Sequence, residues 1–291
     1  SDNIRIGVVL SKRSQKYYFL STVFQSITNF DYNYFIKNIS SNKMTKNKLL
    51  FMYKNKYNFD QLKNLKQKKY LKNNNNKIIY NCALILGPKN RNENITKYLR
   101  SKKIKVFNSS MPIKKSYLKK NKIDIILSSG YAFKIPEDIV NLYKKRIFNL
   151  HATFLPWGKG IGTTFYSFLL DQPVGVSIHL IEKEFDTGDI VTRKKVFPNI
   201  NDTTRTFYGK LLKEIDLIFY ENFNFIFSNK FELYKQKQIL NKIQPYFSRL
   251  EFEKLFSQLS NGYDTFLYQL SLVSYIQKNN KKFKKIFIYE K

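Results

Sequence analysis

Ile123-Asp124-Ile125-Ile126-Leu127-Ser128-Ser129-Gly130 and Arg146-Ile147-Phe148-Asn149-Leu150-His151 are two short apolar runs with Pro136–Tyr143 between them. Runs that are apolar at consecutive positions suit strands covered on both faces, which is the condition of a parallel sheet with helices on each side. Pro136 stands where a helix can begin, since the first turn needs no N–H from that residue. The stretch therefore predicts strand, helix, strand, and it delivers Asn149 and His151 at the carboxyl end of the second strand.

The same alternation extends outward on both sides. Ile78–Leu86 predicts a strand closed by Gly87-Pro88, Asn94–Ser101 a helix, Lys103–Phe107 a strand, and Pro112 to about Lys120 a helix. Downstream, Gly175–Ile181 and Ile190–Phe197 predict two further strands. Upstream, residues 4–11 read as a buried strand, and Phe19, Val23, Phe24 and Ile27 carry helical spacing within 17–30. Residues 31–78 are rich in Asn, Lys and Tyr and suggest only one helix, around 59–72. After Pro198, Asp202 is expected to cap a long helix that buries Phe207, Leu211, Ile215, Ile218, Phe219 and Phe223. Helices near 249–259 and 264–278 and a strand at 286–289 complete the expectation. The fold class is thus α/β, a mostly parallel sheet flanked by helices (residues 1–199), with a small, mostly helical extension (200–291).

The net charge of +31 invites a nucleic-acid reading. The basic residues are 44 Lys and only eight Arg, scattered among Asn, Ile, Tyr and Phe. Lys, Asn, Ile, Tyr and Phe have A/T-rich codons, so drift in base composition accounts for the bias, and nucleic-acid binding is not the expected role. Hydrophobic residues make up 43%, enough for a substantial core. The single cysteine, Cys82, lies in an apolar run and cannot close an intramolecular disulfide, which fits a reduced, cytoplasmic protein. No run reaches the ~18 apolar residues of a membrane span.

Asn149 and His151 are two apart, so on a strand both side chains project to the same side. Asp186 follows in a loop between strands and can reach the imidazole. An amide, an imidazole and a carboxylate suit acyl transfer to an amine. Asn149 can stabilise an oxyanion, and His151 can donate to that oxyanion or handle the proton. Asp186 can orient His151 and accept the proton. The same residues are also compatible with capping and core hydrogen bonds. No Ser or Cys stands in a nucleophile-elbow pattern, and two His with one Cys give no zinc-type cluster, so no metal is expected.

Four segments carry a resemblance. They are Ser129-Gly130-Tyr131-Ala132-Phe133-Lys134-Ile135-Pro136, Asn149-Leu150-His151-Ala152-Thr153-Phe154-Leu155-Pro156, Gly175-Val176-Ser177-Ile178-His179 and Asp186-Thr187-Gly188-Asp189-Ile190. Their order and spacing, across about 78–197, resemble the 10-formyltetrahydrofolate-dependent formyltransferases. The resemblance implies a Rossmann-like sheet, 10-formyltetrahydrofolate as co-substrate, and Asn149, His151 and Asp186 as the catalytic set. It implies that Tyr131, Ala132, Phe133, Lys134 and Ile135 hold the pterin. His179 then lies behind the catalytic groups or packs in the core, and Asp189 serves the turn.

The stretch Leu155–Ser167 is most similar to the sugar N-formyltransferases, because it lacks the Arg-flanked Trp of the tRNA enzymes. Gly162-Thr163-Thr164 departs from the small-residue-plus-Pro pattern of several subfamilies. The resemblance implies a nucleotide-linked amino sugar as acceptor, with Trp157, Lys159, Phe165 and Tyr166 as candidate contacts, although Trp157 is equally suited to packing within its loop. Methionyl-tRNA formylation, a basic nucleic-acid-binding relative and an inactive folate-binding relative are the alternatives. Relatives with C-terminal extensions often pair, so a homodimer is a further expectation.

Overall fold

The computed structural model describes residues 58–68, 77–170, 172–199, 201–241, 246–257, 259, 261–267 and 270. The strand expected at 4–11, the helix at 17–30, the strand at 286–289 and most of the helix at 264–278 lie outside these residues.

Six strands form one sheet in the order β2-β1-β3-β4-β6-β7. They are β1 (Cys82–Leu86), β2 (Lys105–Ser109), β3 (Ile125–Ser128), β4 (Ile147–His151), β6 (Gly175–Leu180) and β7 (Ile190–Lys195). The first four pair in parallel, and β6 and β7 then continue antiparallel. A second, two-stranded sheet pairs β5 (Lys159–Gly160) with β8 (Tyr246–Phe247). The helices are α1 (Phe59–Leu62), α2 (Glu93–Ser101), α3 (Lys115–Lys120), α4 (Glu137–Leu142), α5 (Thr163–Leu169), α6 (Thr204–Phe227), α7 (Gln236–Ile239) and α8 (Arg249–Phe256).

The consecutive apolar residues of β1 explain the layering. Ala83 and Ile85 enter one cluster with Phe165, Leu211, Phe219 and Phe223. Cys82, Leu84 and Leu86 enter a second, with Leu118 of α3 and Ile139 of α4. A strand sandwiched in this way has no polar face, which is why its sequence does not alternate. The apolar stripe expected on the long helix is present on α6, which lies across β6. Each of its fully buried Leu, Ile and Phe side chains contributes on the order of 1.5–3 kcal/mol.

Two local expectations change. Of the helix expected over 59–72, residues 69–72 lie outside the described residues; within 59–68 only α1 is helical, and the chain after it pairs with β7, Leu65 and Arg193 exchanging backbone hydrogen bonds of 3.0 and 3.1 Å. Pairing there satisfies backbone groups at the edge of β7 that a longer helix would leave open. The cap of α6 is Thr203, in a reciprocal pair with Thr206. Asp202 instead accepts from Lys210 at 2.6 Å and from the Asn199 N–H at 2.6 Å. Phe247 and Phe252, from the segment after residue 200, share the first cluster with residues of the sheet.

Candidate active site

Residue pairing in the sheet brings the chemistry together. Asn149 and His151 stand at the end of β4, and β6 places His179 directly opposite Asn149. The loop between β6 and β7 then folds Asp186 over this strand end. His151 Nδ1 lies 3.5 Å from Asp186 Oδ1, His179 Nε2 lies 3.8 Å from the same oxygen, and Asn149 Nδ2 donates to it at 3.5 Å. These are long contacts, so none of the three locks the carboxylate. The firm contact is on the other oxygen, where the Gly160 N–H donates to Oδ2 at 3.0 Å.

Asp186 adopts φ of +56°, a left-handed backbone rarely taken by residues other than Gly, Asn and Asp. Gln236 holds it there, donating to the Asp186 carbonyl at 2.9 Å and to the Gly188 carbonyl at 2.8 Å. Gly160 has φ of +95°, and an added Cβ would come within 2.1 Å of the Phe247 carbonyl oxygen. The N–H that grips Asp186 therefore depends on a residue without a side chain, seated against β8.

Burial sets the protonation states. Desolvation pushes the His151 pKa below its ordinary 6.5, against the pull of Asp186 and with help from Arg91. Desolvation likewise takes His179 down to about 4. Burial alone would raise the Asp186 pKa, but His151, His179, the Gly160 N–H and Lys159 together hold it below its ordinary value. Neutral pH thus gives two neutral imidazoles around one carboxylate. Leu180 O lies 2.7 Å from His179 Nδ1, which fits a proton on that nitrogen and leaves Nε2 bare toward Asp186. Asp186 similarly favours the proton of His151 on Nδ1, leaving Nε2 as the nitrogen available to substrate.

These groups open on a cavity of about 710 Å³. Tyr131, Ala132, Phe133, Lys134 and Ile135 all line it, as do Asn149, His151, His179 and Asp186. The Tyr131 hydroxyl donates to the Met111 carbonyl at 3.0 Å, and the Tyr131 and Phe133 rings meet edge to face at 5.6 Å. Arg249 and Phe252 of α8 and Thr204, Arg205 and Tyr208 of α6 also line it.

The acceptor contacts expected from the sequence fare differently. Phe165 lines the cavity, packed edge to face on Phe252. Trp157 does not line it. Its side chain is 0% exposed, parallel to Phe154 at 6.0 Å, with the Arg193 guanidinium 5.8 Å from its ring. Tyr166 is also buried, stacked on Phe247 at 3.7 Å. Lys159 stands outside the lining, though near enough to Asp186 to feel its charge, and burial lowers its pKa. Both aromatic side chains hold the loop instead of touching its contents. His151, His179 and Asp186 gather with their ring nitrogens and carboxylate oxygen within 4.8 Å of one another. Gln236, Arg91 and the α8 wall were missed altogether. Gln236 is 50 residues from the carbonyl it holds, and no local pattern marks it.

Among the described residues no helix is long and apolar enough to cross a membrane.

Comparison with known proteins agrees with this geometry. A family model described as "Formyl transferase" matches residues 46–221. Among solved structures, the formyltransferase PseJ of Anoxybacillus kamchatkensis, crystallised with UDP-4,6-dideoxy-4-formamido-L-AltNAc and tetrahydrofolate, is 34% identical with a TM-score of 0.61. That match covers 66% of this chain and 99% of PseJ. A 4-N formyltransferase of Francisella tularensis shares the fold at 20% identity and a TM-score of 0.53, over 60% of this chain and 79% of that one. Among curated proteins, the chloroplastic phosphoribosylglycinamide formyltransferase of Arabidopsis thaliana is 33% identical over 110 residues, covering 36% of this chain and 38% of that protein. The methionyl-tRNA formyltransferase of Wolbachia pipientis subsp. Culex pipiens is 32% identical over 91 residues, covering 31% and 30%. The chain thus spans only about a third of the length of these curated relatives. With most of its length matched by the family model, and PseJ matched nearly end to end, the chain belongs to the formyl transferase family.

Proposed function

We propose that this protein transfers the formyl group of 10-formyltetrahydrofolate to the amino group of a nucleotide-linked amino sugar. The carrying observation is the convergence of Asn149, His151 and Asp186 on one cavity whose other wall is the Tyr131–Ile135 loop. The nature of the acceptor draws support from the likeness to PseJ.

In this reading the pterin lies against Tyr131–Ile135 and presents the formyl carbon at the end of β4. The acceptor amine attacks that carbon. The Asn149 amide donates to the developing oxyanion, a contribution commonly about 3 kcal/mol for one good donor. Neutral His151 takes the amine's proton on Nε2, stabilised through Nδ1 by the Asp186 carboxylate, and then donates to the oxyanion. On collapse the carbonyl re-forms and the same proton passes through His151 to the folate nitrogen, which leaves as tetrahydrofolate, so His151 is again neutral. Asp186 stays ionised because two imidazoles and the Gly160 N–H favour its charged form.

The curated matches name two other acceptors, glycinamide ribonucleotide and methionyl-tRNA. Their alignments cover about a third of each chain and bear on the formyl-transfer core they share. The test is incubation of the purified protein with 10-formyltetrahydrofolate and a panel of amino-sugar nucleotides, phosphoribosylglycinamide and charged initiator tRNA. A formamido sugar nucleotide is the expected product. Formylation of the tRNA or of phosphoribosylglycinamide alone would reject the proposed acceptor and keep the donor.

A further inference from the structure

Lysine outnumbers arginine 44 to eight in this chain, yet the cavity reverses the ratio, with Arg91, Arg205 and Arg249 in its walls against Lys134 and Lys183. A guanidinium offers a planar fork of donors that an ammonium lacks. Two of the three are already paired. Arg205 donates to Asp264 at 2.8 and 3.2 Å, and Arg249 lies 3.8 Å from Glu253. Arg91 has no carboxylate within ion-pair distance among the described residues. Asp216, the acid that feels its charge, accepts instead from Asn94 at 2.9 Å.

Arg91 is nonetheless held in a built setting. Its Nη1 donates to the Tyr208 hydroxyl at 2.7 Å, and its guanidinium lies 5.6 Å from the centre of that ring. On its other side it crosses Gly130, whose φ is +70° and where an added Cβ would come within 2.3 Å of Nη1. Nε is buried and has no hydrogen-bond partner. A cation clamped between a glycine and a tyrosine, with donors left over, is preorganised for an anion. Tyr208 and Thr204 belong to the first turns of α6, whose N-terminal end also favours negative charge.

We propose that Arg91 is an anion-recognition residue that grips the diphosphate of the acceptor nucleotide. This rests on the sugar-nucleotide reading above. The glutamate carboxylates of the folate offer related chemistry, so the test must separate the two. Affinities of the full chain for inorganic pyrophosphate, UDP, dTDP and tetrahydrofolate would be measured by calorimetry for the wild type, Arg91→Gln and Arg91→Lys. Arg91→Gln is expected to weaken pyrophosphate and nucleotide binding by about tenfold or more, the scale of a lost charge-assisted contact, and to leave tetrahydrofolate unchanged. A fall in tetrahydrofolate affinity alone would overturn the proposal, as would no change in any affinity. If the Gln variant melts early, Arg91→Lys decides, because it keeps the charge and loses the fork, and wild-type pyrophosphate affinity in it would count against the proposal. Pyrophosphate binding that depends on Arg91 in a protein that takes neither UDP nor dTDP would sustain the anion site and remove the sugar-nucleotide reading. A wild-type protein that binds none of the three phosphates would overturn the site itself.

Discussion

Asn149–His151 and Pro156–Tyr166 are near neighbours in the chain, both rich in groups that can meet a substrate, yet they meet different fates. The first pair is aimed into the cavity by the alternation of a strand and faces Asp186. The second stretch turns its Trp157 and Tyr166 inward, onto Phe154 and Phe247, and only Gly160–Phe165 within it reaches the cavity. A strand dictates side-chain direction by geometry, whereas the turn bearing Trp157 and the short helix α5 bearing Tyr166 take theirs from whatever packs against them. Polar groups at a strand end are therefore a safer guide to a site than aromatics in the loop that follows.

That contrast can be broken by mutation. His151→Ala and Asp186→Asn should each lower kcat by on the order of 10²-fold or more while the melting temperature holds, as for positioned proton-transfer groups. A loss of stability with turnover intact would transfer these residues to the structural side. Trp157→Ala should do the reverse, lowering stability by roughly 3–5 kcal/mol through a core cavity, with donor and acceptor KM changing together in whatever remains folded. A selective rise in acceptor KM without destabilisation would return Trp157 to the binding surface. Gln236→Leu removes the donor on the Asp186 and Gly188 carbonyls and should lower kcat several-fold, on the scale of one buried hydrogen bond. Since Gln236 acts by positioning Asp186, the pH profile of kcat should shift with it, and an unshifted profile would make the contact merely structural.

The smallest effects are those of pH. Turnover needs neutral His151, whose pKa lies below 6.5, so kcat should hold through the ordinary imidazole range and fall only on its acid side. Stability follows the same sign. His179 binds its proton near 4 when folded and near 6.5 when unfolded, so the unfolded state takes up protons first. Stability should therefore decline as pH falls from about 6.5 toward 4, and His179→Gln should flatten that decline in thermal melts. An equal decline in the variant would assign the acid sensitivity elsewhere.

Much of the fold was legible in the chain. The apolar runs at 82–86, 125–128 and 147–151 could bury both faces only in a helix-covered sheet, and α6 displayed its stripe openly. Tyr131–Ile135 were singled out by resemblance, and all five line the cavity. Within 63–68 the expected helix gave way because edge pairing of Leu65 with Arg193 outweighed local propensity. Within the site, Gln236 and Arg91 were invisible because each acts on groups tens of residues away, Gln236 on Asp186 and Arg91 on Tyr208.

The sequence by itself determined the layered sheet, the strand end that bears Asn149 and His151, and the identity of the carboxylate they need. Periodicity is local, and a strand's alternation fixes which side a residue faces. Only the tertiary structure decided that His179 joins them, that Trp157 belongs to the core, and that α6 and α8 line the same cavity as Tyr131–Ile135. Those outcomes depend on which segments meet across the molecule, and the net packing of distant surfaces leaves no signature in the spacing of neighbours along the chain.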